Sequence, residues 1–477
     1  MTNLSGAHLN SGAAVGPQGG GRDSPIRFPG YPAYKDSGVE WLGEVPEHWS
    51  VLPVKWVGWL KGGAGFPHDK QGVDSYELDF HKVNALASAD SDGVLRTSEN
   101  TITRETAKEL GAYIFPKGTI VFAKVGAALL LGRLRTISAE ACLDNNMMGL
   151  IVFPGRASNQ YALYSMGTVR FDLIANPGAV PSMNEGQIGN YRLAFPGLPE
   201  QTQIARFLDH ETARIDALIE EQQRLIELLK EKRQAVISHA VTKGLDPTMP
   251  MKDSGAEWLG EVPAHWETLR IGAVYSEAAD KGLAGLPVLR VSIHHGVSDK
   301  ELSEEESDRK ITRIEDREKY KRVRPGDLVY NMMRAWQGGF GAVLVDGLVS
   351  PAYVVARPKN EDISRYVEQL LRTGCAVEEM RKNSYGITDF RLRLYWDQFK
   401  NIVIVIPPEV ERQQIMERID SLINESEALK SEADRLIVIL QERRSALISA
   451  AVTGKIDVRS WQPPASATSL ELVQETA

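Results

Sequence analysis

EQTQIARFLDHETARIDALIEEQQRLIELLKEKRQAVISHAVT occupies residues 200–242, and ERQQIMERIDSLINESEALKSEADRLIVILQERRSALISAAVT occupies residues 411–453. They are one element used twice. Gln203-Ile204 aligns with Gln414-Ile415 and Val241-Thr242 with Val452-Thr453, both at an offset of 211 (414 less 203, 452 less 241), so the match has no gap. Neither copy contains Gly or Pro, and Leu, Ile, Glu, Gln, Lys and Arg dominate both. These are good or fair helix formers. In the first copy Leu208, Ile215, Leu218, Leu225, Leu229 and Val236 recur at helical steps of three and four, with Glu211, Gln222 and Lys232 as polar members of the same stripe. In the second the stripe is Ile415, Ile419, Leu422, Leu429, Ala433, Leu436, Leu440 and Leu447. Such a sustained heptad seam predicts a coiled coil. A narrow seam calls for one partner helix, and the nearest candidate is the other copy, parallel or antiparallel within one chain. About 40 residues at 1.5 Å rise make a rod of roughly 60 Å, which would hold two globular parts at a fixed distance.

A second repeat frames the first. KDSGVEWLGEVPEHW (35–49) returns as KDSGAEWLGEVPAHW (252–266), identical at thirteen of fifteen positions and offset by 217. The unit is therefore a Trp-containing lead, a globular block and a long helix, used in tandem. A period above 200 residues signals two domains rather than a solenoid. Within the lead, His48 and His265 sit beside Trp49 and Trp266 with carboxylates nearby. The favoured reading is a structural or subunit-docking role, with Trp and Leu side chains anchoring a turn-bearing segment on a neighbouring surface.

The first block, about 50–198, predicts strands over 51–60, 80–86, 119–123, 133–137, 149–153 and 191–195 and a helix over 159–174, broken by turn signals such as Asp92-Gly93. The second, about 267–407, predicts strands over 287–291, 327–330, 341–345, 352–356 and 401–406 and a helix over 364–383. Phe115 to Phe122 and Arg324 to Tyr330 occupy matching positions, but the blocks share little sequence. Near-identical frames carrying diverged blocks suggest two readers of different targets.

Composition narrows the class. A length of 477 residues accommodates two or three domains. With 43% hydrophobic and 25% charged residues the chain is an ordinary soluble protein. Cys142 and Cys375 are too few for a disulfide framework and fit a reducing cytoplasm. Residues 1–30 and 461–477 read as disordered tails. No apolar run is long enough to span a membrane. A net charge of −8 counts against nucleic-acid binding at first sight. The acid is concentrated in the helices and tails, and basic clusters at 124–135 and 309–324 lie in the blocks.

Catalytic motifs are missing. There is no GxxxxGK[ST] loop, no GxGxxG at a strand–helix junction and no GxSxG elbow. No Asn/Asp-Pro-Pro-Tyr/Phe tetrapeptide is found, and Lys61 to Gly65 reads as a strand end. The nine His are scattered, His294-His295 being the only adjacent pair, so no metal site is expected. Recognition remains. Lys124, Arg133, Arg135, Asn145 and Asn146 in the first block, and Asn331, Arg334, Trp336, Gln337, Arg391 and Arg393 in the second, fall in turn-rich stretches. Arg can bridge guanine O6 and N7, and Asn or Gln can bridge adenine N6 and N7. The plainer alternative is that these are loop and salt-bridge residues.

Together these features resemble the specificity subunit of type I restriction–modification systems over residues 31–460. The resemblance rests on both leads, on the linker Leu198-Pro199-Glu200-Gln201 with Ile204, and on the helix ends from Ala235 and Ala446. In the second block it rests on Gly326-Asp327-Leu328-Val329, on Met333 through Gly338, and on Ser350-Pro351-Ala352-Tyr353. Glu411-Arg412 departs from it, since Glu-Gln is usual there. The resemblance implies an α+β fold: two α/β target recognition domains separated by two long helices packed as an intramolecular coiled coil, with a pseudo-two-fold internal repeat. The first domain and its lead would span 31–198, the first spacer helix 199–246, the second domain and its lead 247–407 and the second spacer helix 408–460. Each domain would bind one half of a bipartite, asymmetric double-stranded DNA site, with the helices setting the spacing and docking two modification (methyltransferase) subunits. Two restriction (motor-nuclease) subunits would complete a cytoplasmic bacterial or archaeal complex. S-adenosylmethionine, ATP and Mg2+ would reside on those partners, and this chain would bind no cofactor and catalyse nothing. The rival readings are a self-sufficient DNA methyltransferase or nuclease with unrecognised motifs, and a coiled-coil scaffold that binds no DNA.

Overall fold

The repeated lead folds as a hairpin for reasons visible in its own residues. Tyr34–Asp36 pairs antiparallel with Glu44–Pro46. The Asp36 carboxylate accepts from the Gly38 amide at 2.9 Å, and the Ser37 hydroxyl accepts from the Val39 amide at 3.1 Å. Such side-chain-to-backbone turns need Asp and Ser at these positions. The copy repeats them: Met251–Asp253 pairs with Glu261–Pro263, Asp253 takes the Gly255 amide and Ser254 that of Ala256. Trp49 and Trp266 are fully buried beneath the hairpins, and Leu42 and Leu259 are buried with them. Trp41 is instead half exposed, stacked on Tyr191 at 5.4 Å.

The computed structural model describes residues 28–90, 92–293, 296–301, 317–359, 363–386 and 392–464. The two tails read from the sequence lie mostly outside these residues. The chain is mixed α and β and divides into two compact units, Met1–Leu218 with Ile439–Ala477, and Ile219–Val438. The division passes through both long helices, Leu198–Lys243 and Glu409–Val452, of 46 and 44 residues. Pro199 suits the first turn of its helix, where no amide partner is lost.

In the first unit a five-stranded sheet runs in the order Gly58–Gly62, Met147–Val152, Ile120–Ala123, Arg135–Ile137, Val94–Leu95. In the second, four strands follow the same plan: Tyr275–Ala278, Tyr353–Pro358, Leu328–Asn331, Phe340–Ala342. Several expected elements are interrupted. The strand read over 51–60 is split by the turn Val54–Trp56, and the one over 80–86 ends at His81. The helix read over 159–174 becomes Asn159–Met166 and Phe171–Ile174. The one over 364–383 becomes Ser364–Leu371 and Gly374–Lys382, because the Thr373 hydroxyl accepts from the Ala376 amide and starts a new helix.

Within each unit the long helices run antiparallel. In the first, Gln203 donates to the carbonyls of Val458 and Trp461, while Asp216 pairs with Arg444 at 3.0 Å. In the second, Arg233 pairs with Glu427 at 2.8 Å, and Gly244 lies beside Glu411. These exposed ion pairs report direction and add little stability.

The seam read from the sequence needs correction in phase. Leu218, Leu225, Leu429 and Leu436 are exposed. Half-buried Ile219, Ile226, Ser426 and Ile437 take the inner positions, beside Ile215, Leu229, Val236, Leu422 and Leu447. Both Leu218-Ile219 and Leu225-Ile226 offer two adjacent apolar residues about 100° apart on the helix. Period alone cannot choose between them. Leu208, Ile419 and Leu440 are buried.

The repeat closes head to tail. The Lys455 ammonium donates to the Glu44 carbonyl at 2.7 Å, and Lys243 donates to the equivalent Glu261 carbonyl. Gly454, at φ 74°, packs so tightly on the first lead that a Cβ would stand 2.2 Å from Pro46. Gly244, at φ 81°, lies over Trp266 and Pro263. The end of the second helix thus takes, with the first lead, the place that the end of the first helix takes with the second lead. Glu200 binds Tyr31, His48 and Trp49, and Glu411 binds His265 and Trp266. Gln201 donates to the Pro196 carbonyl at 2.9 Å, and Arg412 donates to the equivalent Pro407 carbonyl at 3.3 Å.

Candidate nucleic-acid interface

Strand register decides which candidate residues can meet. In the first unit Gly62 pairs with Met148, Ala123 with Met147, and Arg135 with Val121. One end of the sheet therefore collects the segments after Gly62, after Ala123, before Met147 and before Arg135. Lys124, Arg133, Arg135, Asn145 and Asn146 all fall there. Lys124 is the first residue past its strand, and its amide donates to the Asn146 carbonyl at 2.8 Å. A Cβ on Gly62 would stand 2.7 Å from the Lys124 ammonium, so a glycine makes room for that charge. Asn146 is set by its amide, which donates to Asp144 at 2.8 Å, and Asn145 is exposed at the tip of the same turn.

Electrostatics at this end favour an anion. Arg133 is exposed and Arg135 half-buried. Burial, and then the neighbouring Arg133, lower the pKa of the Arg135 guanidinium from its usual value. One of its nitrogens donates to the Leu134 carbonyl at 2.8 Å, while Nε is enclosed without a partner among the described residues. A phosphate would relieve that repulsion. Asp144 and Glu185 are opposing charges, and the Glu185 carboxylate accepts from the Gly62 amide at 2.9 Å. Burial raises the pKa of Asp144, against the amides of Asn146 and Val83 and the charges of Lys82 and Lys124.

The second unit builds the equivalent end from other residues. Asn331 pairs with Tyr353 and Tyr330 with Phe340. Asn331 closes its strand and accepts the Met333 amide at 3.0 Å. Arg334 precedes, and Gln337 ends, a short turn, Ala335–Gln337, that returns the chain to Phe340. Arg393 joins them: it exchanges both backbone bonds with Tyr385 at 2.9 Å, and the adjacent Leu394 amide donates to the Met332 carbonyl. Trp336 is half-buried, and its indole N–H has no partner among the described residues. Arg391 lies outside the described residues. Sequence reasoning missed Gly62 beneath Lys124 and Tyr385 beside Arg393; neither position carries a local signal, because strand pairing creates both contacts.

Among the described residues no group of three His, Cys, Asp or Glu could hold a metal ion. His294-His295 lie outside them. Cys142 is buried, and burial pushes its thiol up to about 11. Among the described residues no helix is long and apolar enough to cross a membrane. The arrangement offers cations and amide groups at one end of each sheet, a set suited to binding a polyanion.

Known proteins resemble this chain. Residues 60–229 match the family model of the type I restriction modification DNA specificity domain. The chain is 20% identical over 457 residues to the type I restriction enzyme EcoKI specificity subunit of Escherichia coli (strain K12), covering 88% of this chain and 91% of that one. It is 24% identical over 302 residues to the type I restriction enzyme MjaVIII specificity subunit of Methanocaldococcus jannaschii, covering 59% and 66%. The matches span about half to two thirds of the length of the Methanocaldococcus relatives. A chain from a study of complex assembly and conformational transition in the type I R-M system shares the fold at a TM-score of 0.54 and 15% identity, over 86% of this chain and 98% of that one.

Proposed function

The chain belongs to the family of type I restriction–modification specificity subunits, and we propose that each of its two blocks reads one half of a split DNA site. The observation that carries this is the convergence of the candidate residues on the same end of the same sheet in both units, from sequences that do not match. Phosphate contacts from Lys124, Arg133 and Arg393 would fix orientation, and base-edge contacts from Asn and Arg side chains would choose sequence. The target recognition domains are residues 31–198 and 247–407, and the long helices at 199–246 and 408–460 pair as the spacer. Two half-sites on one face of a duplex lie about one turn, ~34 Å, apart, within reach of a rod of this length.

The chain's part is address rather than chemistry. Two modification subunits would dock on the repeated leads and helix ends, where Glu200 and Glu411 hold equivalent His–Trp pairs. They would bring S-adenosylmethionine and methylate an adenine in each half-site, which requires flipping that base from the stack. Two restriction subunits would add ATP- and Mg2+-dependent translocation and cleavage.

Mapping methylated adenines across the genome with and without the gene tests this. The expected result is one bipartite motif that disappears with the gene. Exchanging either block with that of a relative should change one half of the motif only. Methylation by the purified chain alone, or an unchanged methylome, would overturn the reading.

A further inference from the structure

The candidate interface carries apolar side chains in the middle of its polar ones. Leu130 and Leu131 are 48% and 61% exposed, on the segment joining Lys124 to Arg133. A single exposed leucine is ordinary. This pair is different because its mount is rigid. Leu129 is 1% exposed and anchors the turn in the core, the Gly126 amide donates to the Pro181 carbonyl at 2.8 Å, and Gly132, at φ 59°, lies against the Phe171 ring.

The second unit has the same device in other letters. Met333 is 47% exposed, between Asn331 and Arg334. Ala335 is the buried anchor, and Gly338, at φ 86°, closes the turn. Both segments join equivalent strands, Ile120–Ala123 to Arg135–Ile137 and Leu328–Asn331 to Phe340–Ala342, yet they differ in length and sequence. Each holds an apolar tip outward between polar residues. A rigid apolar tip flanked by cations suits a duplex, because phosphates take the cations and the base stack offers an apolar slot.

We propose that Leu130-Leu131 in the first unit and Met333 in the second are wedges that enter the base stack of duplex DNA, each unstacking one step within its own half-site. This rests on the DNA-reading function proposed above. Unstacking lowers the cost of extruding a neighbouring base. The wedge thus prepares the duplex for a partner that modifies a flipped base.

The test uses the full chain with its modification subunits, on duplexes carrying the mapped motif with 2-aminopurine walked through both half-sites. The intact complex should raise fluorescence at one step in each half-site. L130A/L131A should remove the rise at the first half-site only, and M333A at the second only, with binding roughly tenfold weaker and an unchanged salt slope, since no phosphate contact is lost. An unchanged base preference at the altered half-site reports that the variant unit is folded. Full fluorescence at both half-sites in these variants overturns the wedge while leaving sequence reading intact. So does a loss of binding on replacing thymine by uracil without any unstacking signal, which would place the side chains against methyl groups in the groove. Failure of the intact complex to select any sequence would overturn the function itself.

Discussion

The Tyr366 hydroxyl, buried in the second unit, donates to the carbonyl of Val241 at 2.8 Å. Val241 lies in the last turn of its helix, where carbonyls lack intrahelical partners. Tyr161 does the same in the first unit, donating to Val452 at 3.3 Å and to Ala194 at 2.8 Å. Each recognition block thus holds the end of the long helix that does not follow it in sequence. Tyr366→Phe leaves a buried carbonyl unpaired and should cost about 1–3 kcal/mol. Tyr161→Phe should cost a similar amount, since it removes the one proton that the Ala194 and Val452 carbonyls share. Chemical denaturation of the full chain, followed in each unit by hydrogen exchange, measures both. A change below about 0.5 kcal/mol in each would show that the bonds are incidental.

Arg412 stands where the first linker has Gln201, and both reach a proline carbonyl five residues upstream. Arg412→Gln should therefore be tolerated, within about 1 kcal/mol of the parent, because the shorter side chain makes this bond in the first unit. Arg412→Ala should destabilise the second unit clearly. Equal losses for the two variants would mean that the guanidinium charge, rather than the carbonyl bond, is what the site requires.

His81 is 1% exposed, and among the described residues neither ring nitrogen has a partner. Burial lowers its pKa from the usual value. Below about pH 6.5 the unfolded chain binds a proton that the folded chain resists. Stability contributed at neutral pH is thus lost as pH falls below the unfolded value. His81→Leu should flatten that acid loss and remove an unpaired polar group. The measurement is the denaturation midpoint between pH 7 and pH 5; a parallel decline in the variant would assign the acid sensitivity to other groups.

The repeats were legible in the sequence because they are local. The lead's Asp-Ser-Gly turn, the long helices and their ends at Gly244 and Gly454 all follow from neighbouring residues. What was illegible depends on pairing. Leu218 and Ile219 are equally apolar, and only packing chooses Ile219 for the inside. Likewise Lys124, Arg133 and Asn145 are brought together by the register of three strands, which no period of two encodes. Leu130 and Leu131 sit in an apolar run that reads as core, and one residue, Leu129, takes that role alone. Thr373 and Gly167 each break a helix that the apolar pattern continues through.

Lys124 and Arg133 should act on affinity without acting on sequence choice. Each phosphate contact removed should make the slope of log K against log salt shallower by about 0.9. Lys124→Ala with Arg133→Ala in the assembled complex should therefore flatten it by nearly two units, and equally for matched and mismatched sites. Asn145→Ala, by contrast, should leave the slope alone and relax the base preference at one position of the first half-site, by about 1–3 kcal/mol of discrimination. The control lies in the other unit: the second half-site's preference should be untouched by all three changes. If the double variant instead altered which bases are chosen, these cations would be reading base edges, and the division between holding and reading at this end of the sheet would have to be reversed.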